Sequence, residues 1–259
     1  RFANLAVQNS DLIISIGSRL DTKATGSPVN TFAREAKKIM IDIDNTELNK
    51  FKNYKLKIDL KISCDANEII KQLLKKKILI NKKEVKKWFV QIDKWKKRYP
   101  IIIKKYYKEK KINPYIFVKR LSAECKKNDL ICVDTGCAIA WMMQAFEFKK
   151  NQKLFHDFNN TAMGWALPGA IAASIALKKR KIIAVVGDGS FQLNIQELGT
   201  LVKHKLPIKI FLLNNFGQSM IKQTQEQWLN SKYFASSFEG GLPKINFLNI
   251  ATEYGLKTF

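Results

Sequence analysis

Short apolar runs alternate with stretches of helical periodicity along most of the chain. In its first part, three apolar runs predict buried parallel strands: 11–16, 38–43 and 56–62. Helices are predicted at 28–37 and from Asp65, a suitable N-cap residue, to about residue 77. The predicted order is therefore strand, helix, strand, strand, helix.

The same alternation returns after residue 112. Helices are predicted at 113–127, 164–177, 194–204 and 246–254, and strands at 130–133, 181–186 and 208–213. Strands that alternate with helices indicate the α/β class, here as two doubly wound domains with parallel sheets. Because ligands bind beyond the carboxyl ends of such strands, the loops after residues 133, 186 and 213 are candidate sites.

A lysine-rich segment separates the two patterns. Between residues 78 and 111, apolar side chains form one helical stripe, and Pro100 breaks the pattern; the stripe comprises Val85, Trp88, Phe89, Ile92 and Trp95. We predict a basic helical linker here. The expected segments are 1–78, 79–112 and 113–259.

The net charge is +24, and two-thirds of this excess lies between residues 50 and 111. Aromatic residues among the lysines raise the hypothesis that this segment binds single-stranded nucleic acid; they are Trp88, Trp95, Tyr99, Tyr106 and Tyr107. The competing interpretation is a solvated helix with its aromatic residues on the apolar face, since charge alone favours only non-specific binding. We favour the second interpretation and expect no nucleic-acid partner.

The composition also suggests a location for the protein. Its four cysteines show no CxxC spacing, which is typical of reduced thiols in a cytoplasmic protein. The longest weakly polar stretch, 166–177, is shorter than the roughly 20 residues of a membrane helix, so we expect no membrane partner.

Two short motifs carry candidate chemistry. Gly187-Asp188-Gly189-Ser190 follows one predicted strand, and Asn214-Asn215 follows the next, with 24 residues between Gly189 and Asn214. Glycines at a helix start let the backbone approach phosphate, and an aspartate there would repel phosphate unless it held a cation such as Mg²⁺. Each motif alone is weak, but adjacent parallel strands would bring them together.

Together the two motifs resemble the thiamine diphosphate motif, in which GDG is followed after about 24 to 27 residues by NN. Residues 11–26 and 37–51 resemble the central domain of the acetolactate synthase-like family of thiamine diphosphate enzymes, and residues 159–176 resemble its diphosphate-binding domain. The resemblance makes 1–78 a partial central domain and 113–259 the domain that binds diphosphate and magnesium.

The resemblance also implies roles for individual residues. Asp188 and Asn215 would bind Mg²⁺ through their side chains, and Gly217 would bind it through its carbonyl. Gly189, Ser190 and the loop of Thr135, Gly136 and Cys137 would contact diphosphate. Met163, the residue given a catalytic role, would be wedged under the cofactor. The Thr161 carbonyl and the Met163 N–H would receive the aminopyrimidine edge.

Two positions depart from acetolactate synthases. Thr224 stands where those enzymes have a tryptophan, and Ala138 where they have a histidine in the diphosphate loop. The segments GSRLD, FNNTAMG and IKQTQ more closely resemble relatives of undefined substrate that often accompany surface-sugar pathways. FAD binding is left open, because some members hold FAD while this sequence has no complete GxGxxG.

The resemblance implies a thiamine diphosphate- and Mg²⁺-dependent enzyme that decarboxylates a small 2-oxo acid or joins it to an acceptor, acting as a homodimer or homotetramer. The glutamate that activates the cofactor in this family lies in an N-terminal domain that no part of this chain resembles. We therefore expect the chain to be part of a longer protein and inactive alone. A non-catalytic nucleotide-binding relative is the alternative.

Overall fold

The computed structural model describes residues 2–76, 80–158 and 160–259, and it divides the chain into two compact units, 1–100 and 101–259. The basic helix expected to link two domains belongs to the first unit. The expected segment boundary at 78–79 lies outside the described residues.

The first unit is built on a parallel three-stranded sheet of order β1-β2-β3. Its strands are β1 (Leu12–Ile16), β2 (Lys37–Asp42) and β3 (Leu60–Ser63), and its helices are α1 (Phe2–Gln8), α2 (Thr22–Thr25), α3 (Asn45–Asn49), α4 (Ala66–Lys75) and α5 (Lys82–Arg98). Met40, Leu48 and Phe51 are in the buried cluster of this unit. Leu12 and Ile14 stay about half exposed.

Residues 28–37 correct one prediction, because they do not form the expected α-helix. Only a 3-10 turn forms, at Val29–Thr31, and Ala33 adopts a φ of 40°, which no α-helix accommodates. Phe32, Ala33 and Ala36 are buried in the core cluster instead. Packing of these side chains overrides the local helix preference.

Helix α5 is shorter than the predicted segment of 78–111. It begins at Lys82, where the Asn81 side chain accepts the N–H groups of Lys83 and Glu84, and it ends two residues before Pro100. Trp88 and Trp95 pack edge to face at 5.5 Å. Two of the aromatic rings that raised the nucleic-acid hypothesis therefore contact each other.

The second unit contains a parallel four-stranded sheet of order β5-β4-β6-β7. Its strands are β4 (Leu130–Val133), β5 (Lys153–Phe155), β6 (Ile182–Gly187) and β7 (Ile208–Leu213). Its helices are α6 (Pro114–Glu124), α7 (Cys137–Ala145), α8 (Ala166–Ala176), α9 (Asp188–Gln192), α10 (Glu197–Lys203), α11 (Ser219–Trp228) and α12 (Phe247–Glu253). The edge strand β5 is absent from the sequence prediction.

Side chains of β4 and β6 alternate between two cores, one on each face of this sheet. Ile131 and Val185 pack with residues of α6 and α7, whereas Cys132 and Ala184 pack with residues of α8 and α10. Strands buried on both faces read as continuous apolar runs, which is the pattern of the doubly wound α/β fold. In the described parts of the chain, no helix is long and apolar enough to cross a membrane.

Candidate functional site

The loops that follow β6 and β7 meet at the carboxyl edge of the second sheet. The strands pair in parallel up to Gly187 and Leu213, so the GDG and NN motifs begin at neighbouring points. The Gly217 N–H donates to Asp188 Oδ2 at 3.1 Å. The spacing of the two motifs therefore predicted their proximity.

Asp188 is a buried carboxylate without a cationic partner in the described part of the chain. Its side chain is 7% exposed, and it takes part in none of the ion pairs seen there. Burial raises the pKa of this carboxyl group above its ordinary value, and the backbone N–H groups of Gly217 and Gly189 oppose the rise. An ionised group in this setting is suited to holding a cation.

The other two expected magnesium ligands differ in their exposure to solvent. Gly217 is buried, while Asn215 is exposed. The described residues contain no cluster of three or more His, Cys, Asp or Glu side chains that could hold a metal ion. One carboxylate supplemented by amide and carbonyl oxygens suits Mg²⁺, which keeps several ligands from water and phosphate. The donor set therefore fits the expected metal.

The predicted diphosphate contacts lie at the starts of two helices. Helix α9 begins at Asp188, directly after Gly187, so the first N–H groups of this turn lack partners within the helix. Helix α7 begins at Cys137, after Gly136 with a φ of 77°. Burial raises the pKa of the Cys137 thiol, which favours a neutral side chain beside the loop.

Met163 and Gly189 lie against each other. A Cβ atom added to Gly189 would lie 3.4 Å from Met163 Cε and 3.5 Å from Gln218 Cγ. Met163 remains 37% exposed. Thr161, two residues earlier, has a φ of 52°, and its N–H donates to the Asp157 carbonyl at 2.8 Å. The structure thus places the expected wedge residue beside the expected diphosphate turn.

Asp134 is a polar residue of the site to which the sequence analysis gave no role. It is fully buried, and its carboxylate accepts the N–H groups of Thr135 at 2.9 Å, Gly164 at 3.1 Å and Ala166 at 2.8 Å. It therefore connects the loop after β4 with the loop before α8. The signal that could have revealed it is an acidic residue directly after a wholly apolar strand.

The two residues that depart from acetolactate synthases, Ala138 and Thr224, lie in different environments. Ala138 is 4% exposed and packs in the core with Val133 and Met142. Thr224 is exposed, and its hydroxyl donates to the Met220 carbonyl one helical turn earlier at 3.2 Å. The Thr224 hydroxyl therefore bonds within its own helix, and Ala138 contributes to the core.

The first unit offers one feature relevant to an additional ligand such as a flavin. Asp42 lies at the carboxyl end of β2, and its Oδ2 atom is buried without a partner in the described part of the chain. Its other oxygen accepts the Asp44 N–H at 3.1 Å. One unpartnered oxygen fits many polar groups and does not specify a flavin.

Gly164 tests how tightly the loop before α8 is packed. Its φ is 82°, and an added Cβ would lie 2.6 Å from Asn194 Nδ2 and 3.0 Å from Leu193 Cβ. Gly255 has a matching φ of 83° but open space around it. We expect Gly164→Ala to lower the free energy of unfolding by clearly more than the ~1 kcal/mol of Gly255→Ala, measured by urea titration. Equal losses of unfolding free energy in the two variants would show that the loop before α8 rearranges to accommodate the added Cβ atom.

Asp188→Asn tests whether the negative charge of the buried carboxylate lacks a compensating cation in the metal-free protein. Because burial raises its pKa, the carboxyl group favours the folded state while protonated, and this contribution is lost as the pH rises. We expect the metal-free Asp188→Asn protein to resist urea better than wild type at pH 7, with the difference narrowing toward pH 4. The exposed Asp93→Asn is the control. Lower stability of Asp188→Asn at pH 7 would contradict the argument.

Comparison with known proteins identifies two domains in this chain. Residues 1–73 match the thiamine pyrophosphate enzyme central domain, and residues 134–259 match the thiamine pyrophosphate enzyme C-terminal binding domain.

Similar proteins include acetolactate synthase large subunits from several kingdoms. The subunit of Cyanidium caldarium is 34% identical over 99% of this chain, isozyme 1 of Escherichia coli is 31% identical over 100%, and the probable subunit of Methanococcus aeolicus is 32% identical over 98%. The chain spans 43%, 44% and 43% of their respective lengths, which is less than half of each. It belongs to the thiamine pyrophosphate enzyme family, of which it contains the central and the C-terminal domain.

Proposed function

We propose that the protein containing this chain is a thiamine diphosphate- and Mg²⁺-dependent enzyme of the acetolactate synthase type, acting on a small 2-oxo acid. The observation that carries this proposal is the buried, uncompensated carboxylate of Asp188, held against the Gly217 loop at the carboxyl edge of the sheet. The family membership and the names of the relatives support the substrate class.

The proposal gives a role to each predicted site residue. Asp188, Asn215 and the Gly217 carbonyl would hold Mg²⁺, whose charge would compensate the buried carboxylate. The N–H groups around Gly189 and Ser190 and those of Gly136 and Cys137 would donate to the diphosphate oxygens. Their placement at helix starts and glycine turns suits an anion. Thr135, whose N–H donates to Asp134, would contact diphosphate through its other atoms.

The other half of the site concerns the organic part of the cofactor. Met163 would support the cofactor from below, and the Thr161 carbonyl and Met163 N–H would orient the aminopyrimidine edge. When bound, thiamine diphosphate supplies the nucleophilic carbon and the electron sink for decarboxylation of a 2-oxo acid. The apolar Met163 side chain would also exclude water from this position.

The glutamate that activates the cofactor is not among these residues. We expect it to come from a domain outside this chain, in a homodimer or homotetramer. Cytoplasmic location stays a prediction, and FAD binding stays open.

Calorimetric titration of thiamine diphosphate into the whole protein, with and without Mg²⁺, tests the proposal. We expect binding only with Mg²⁺, and weakening by at least about 100-fold in Asp188→Asn, because the variant loses a charged metal ligand. Asp93→Asn on the exposed face of α5 should bind as wild type does. Absence of binding by folded wild-type protein, or equal binding with and without Mg²⁺, would overturn the proposal.

A second readout separates an enzyme from a non-catalytic relative. Carbon dioxide release from pyruvate and from larger 2-oxo acids is measured on the whole protein loaded with cofactor and Mg²⁺. Release above the Asp188→Asn background supports the enzyme. Cofactor binding without release from any 2-oxo acid would favour the non-catalytic alternative.

A further inference from the structure

The loop between β5 and α8 is fixed at both ends to consecutive residues of β4 and the loop after it. We call residues 156–166 the wedge loop, because it contains Thr161 and Met163; residue 159 lies outside the described residues. Its first residue, His156, contacts Val133. Its last part donates N–H groups to Asp134.

His156 anchors the start of the wedge loop. Strands β4 and β5 pair up to Cys132 and Phe155, so Val133 and His156 occupy the next position of the register. There the ring Nδ1 of His156 lies 2.9 Å from the Val133 carbonyl oxygen. Because a carbonyl oxygen only accepts hydrogen bonds, Nδ1 carries a proton and donates it. A side chain thus replaces a backbone bond of the ladder.

The His156 ring has limited freedom to turn away. It packs edge to face against Phe158, with ring centroids 4.8 Å apart and planes at 87°. Its Nε2 atom is buried without a hydrogen-bond partner in the described part of the chain. The bond from Nδ1 to Val133 is therefore the polar contact that fixes the ring.

Asp134 anchors the end of the wedge loop. Its two carboxylate oxygens accept the N–H groups of Gly164 and Ala166, which lie 30 and 32 residues away in the sequence. The same carboxylate accepts the N–H of Thr135, in the predicted diphosphate loop. Hydrogen bonds to a fully buried carboxylate are charge-assisted and stronger than those between neutral groups.

We propose that His156 and Asp134 are positioning residues that hold the wedge loop so that Met163 lies against Gly189 before the cofactor arrives. This proposal rests on the proposed function. Anchoring both ends of the loop lowers the conformational entropy lost when the organic part of thiamine diphosphate binds. The magnesium and diphosphate contacts proposed around Asp188 use residues outside the wedge loop.

The proposal is distinguished from a purely structural role by comparing two ligands. Thiamine diphosphate engages both the diphosphate turn and the wedge loop, whereas inorganic pyrophosphate with Mg²⁺ engages only the first. Loss of the His156 anchor should therefore weaken thiamine diphosphate binding much more than pyrophosphate binding. General loss of structure would weaken both alike.

Variants at His156 form a matched pair. In His156→Asn the side-chain amide nitrogen stands near the position of Nδ1 and can donate to Val133, whereas His156→Leu removes the donor. We expect His156→Leu to weaken thiamine diphosphate binding by about tenfold or more and pyrophosphate binding by less than about threefold. We expect His156→Asn to restore most of the thiamine diphosphate affinity.

Asp134→Asn turns one acceptor into a donor that faces a backbone N–H. Its control is Asp129→Asn at the opposite end of β4, where the carboxylate accepts the Lys126 N–H at 2.7 Å. In the ligand-free protein, hydrogen exchange of amides 160–167 should rise by about tenfold or more in Asp134→Asn and stay unchanged in Asp129→Asn. The His156 pair keeps the proposal testable if Asp134→Asn does not fold.

The outcomes separate this proposal from the proposed function. Wild-type protein that does not bind thiamine diphosphate would overturn both. Wild-type binding together with equal weakening of both ligands in His156→Leu, or with no weakening of either, would overturn the positioning role alone. Unchanged exchange of the wedge loop in a folded Asp134→Asn protein would also overturn it.

Discussion

The buried carboxylate of Asp188 is the constraint on which the candidate site depends. Parallel pairing of β6 with β7 places it at the carboxyl edge of the sheet, and apolar side chains pack on both faces of β6. The Gly217 N–H binds one of its oxygens. A charge held there without a cationic partner in the described chain opposes folding, so a cation bound at Asp188, as proposed, would stabilise the folded protein.

The fold of the second unit could be predicted largely from two sequence features. Apolar runs of four to six residues identify β4, β6 and β7, although Lys209 interrupts the run in β7. The runs in β4 and β6 are continuous, since strands buried on both faces lack alternation. The interval between Gly189 and Asn214 accommodates one helix and one strand, which predicts adjacent strands and joins Asp188 to Gly217. Local pattern and tertiary structure agree best for β4 and β6, whose residues are nearly all buried.

Other features depended on contacts that local sequence does not encode. Strand β5 has only three residues and forms at the sheet edge through pairing with β4. Residues 28–37 do not form the expected helix, because Phe32 and Ala33 are buried in the core of the first unit. The position of Asp134 after an apolar strand gives no information about its partners, since Gly164 and Ala166 are distant in sequence. Side-chain acceptors for distant backbone groups become visible only in three dimensions.

The two carboxylates at this edge, Asp134 and Asp188, differ in the groups that compensate their charge. Asp134 is satisfied by three backbone N–H groups, which stabilise its charge and join two loops within the protein. Burial raises the pKa of Asp188 although backbone N–H groups oppose the rise, and no ion pair of the described chain includes this carboxylate. A carboxylate that joins two loops suits a structural role, and a buried one without a cationic partner suits a bound cation. This difference supports the positioning role proposed for Asp134 and the metal-binding role proposed for Asp188.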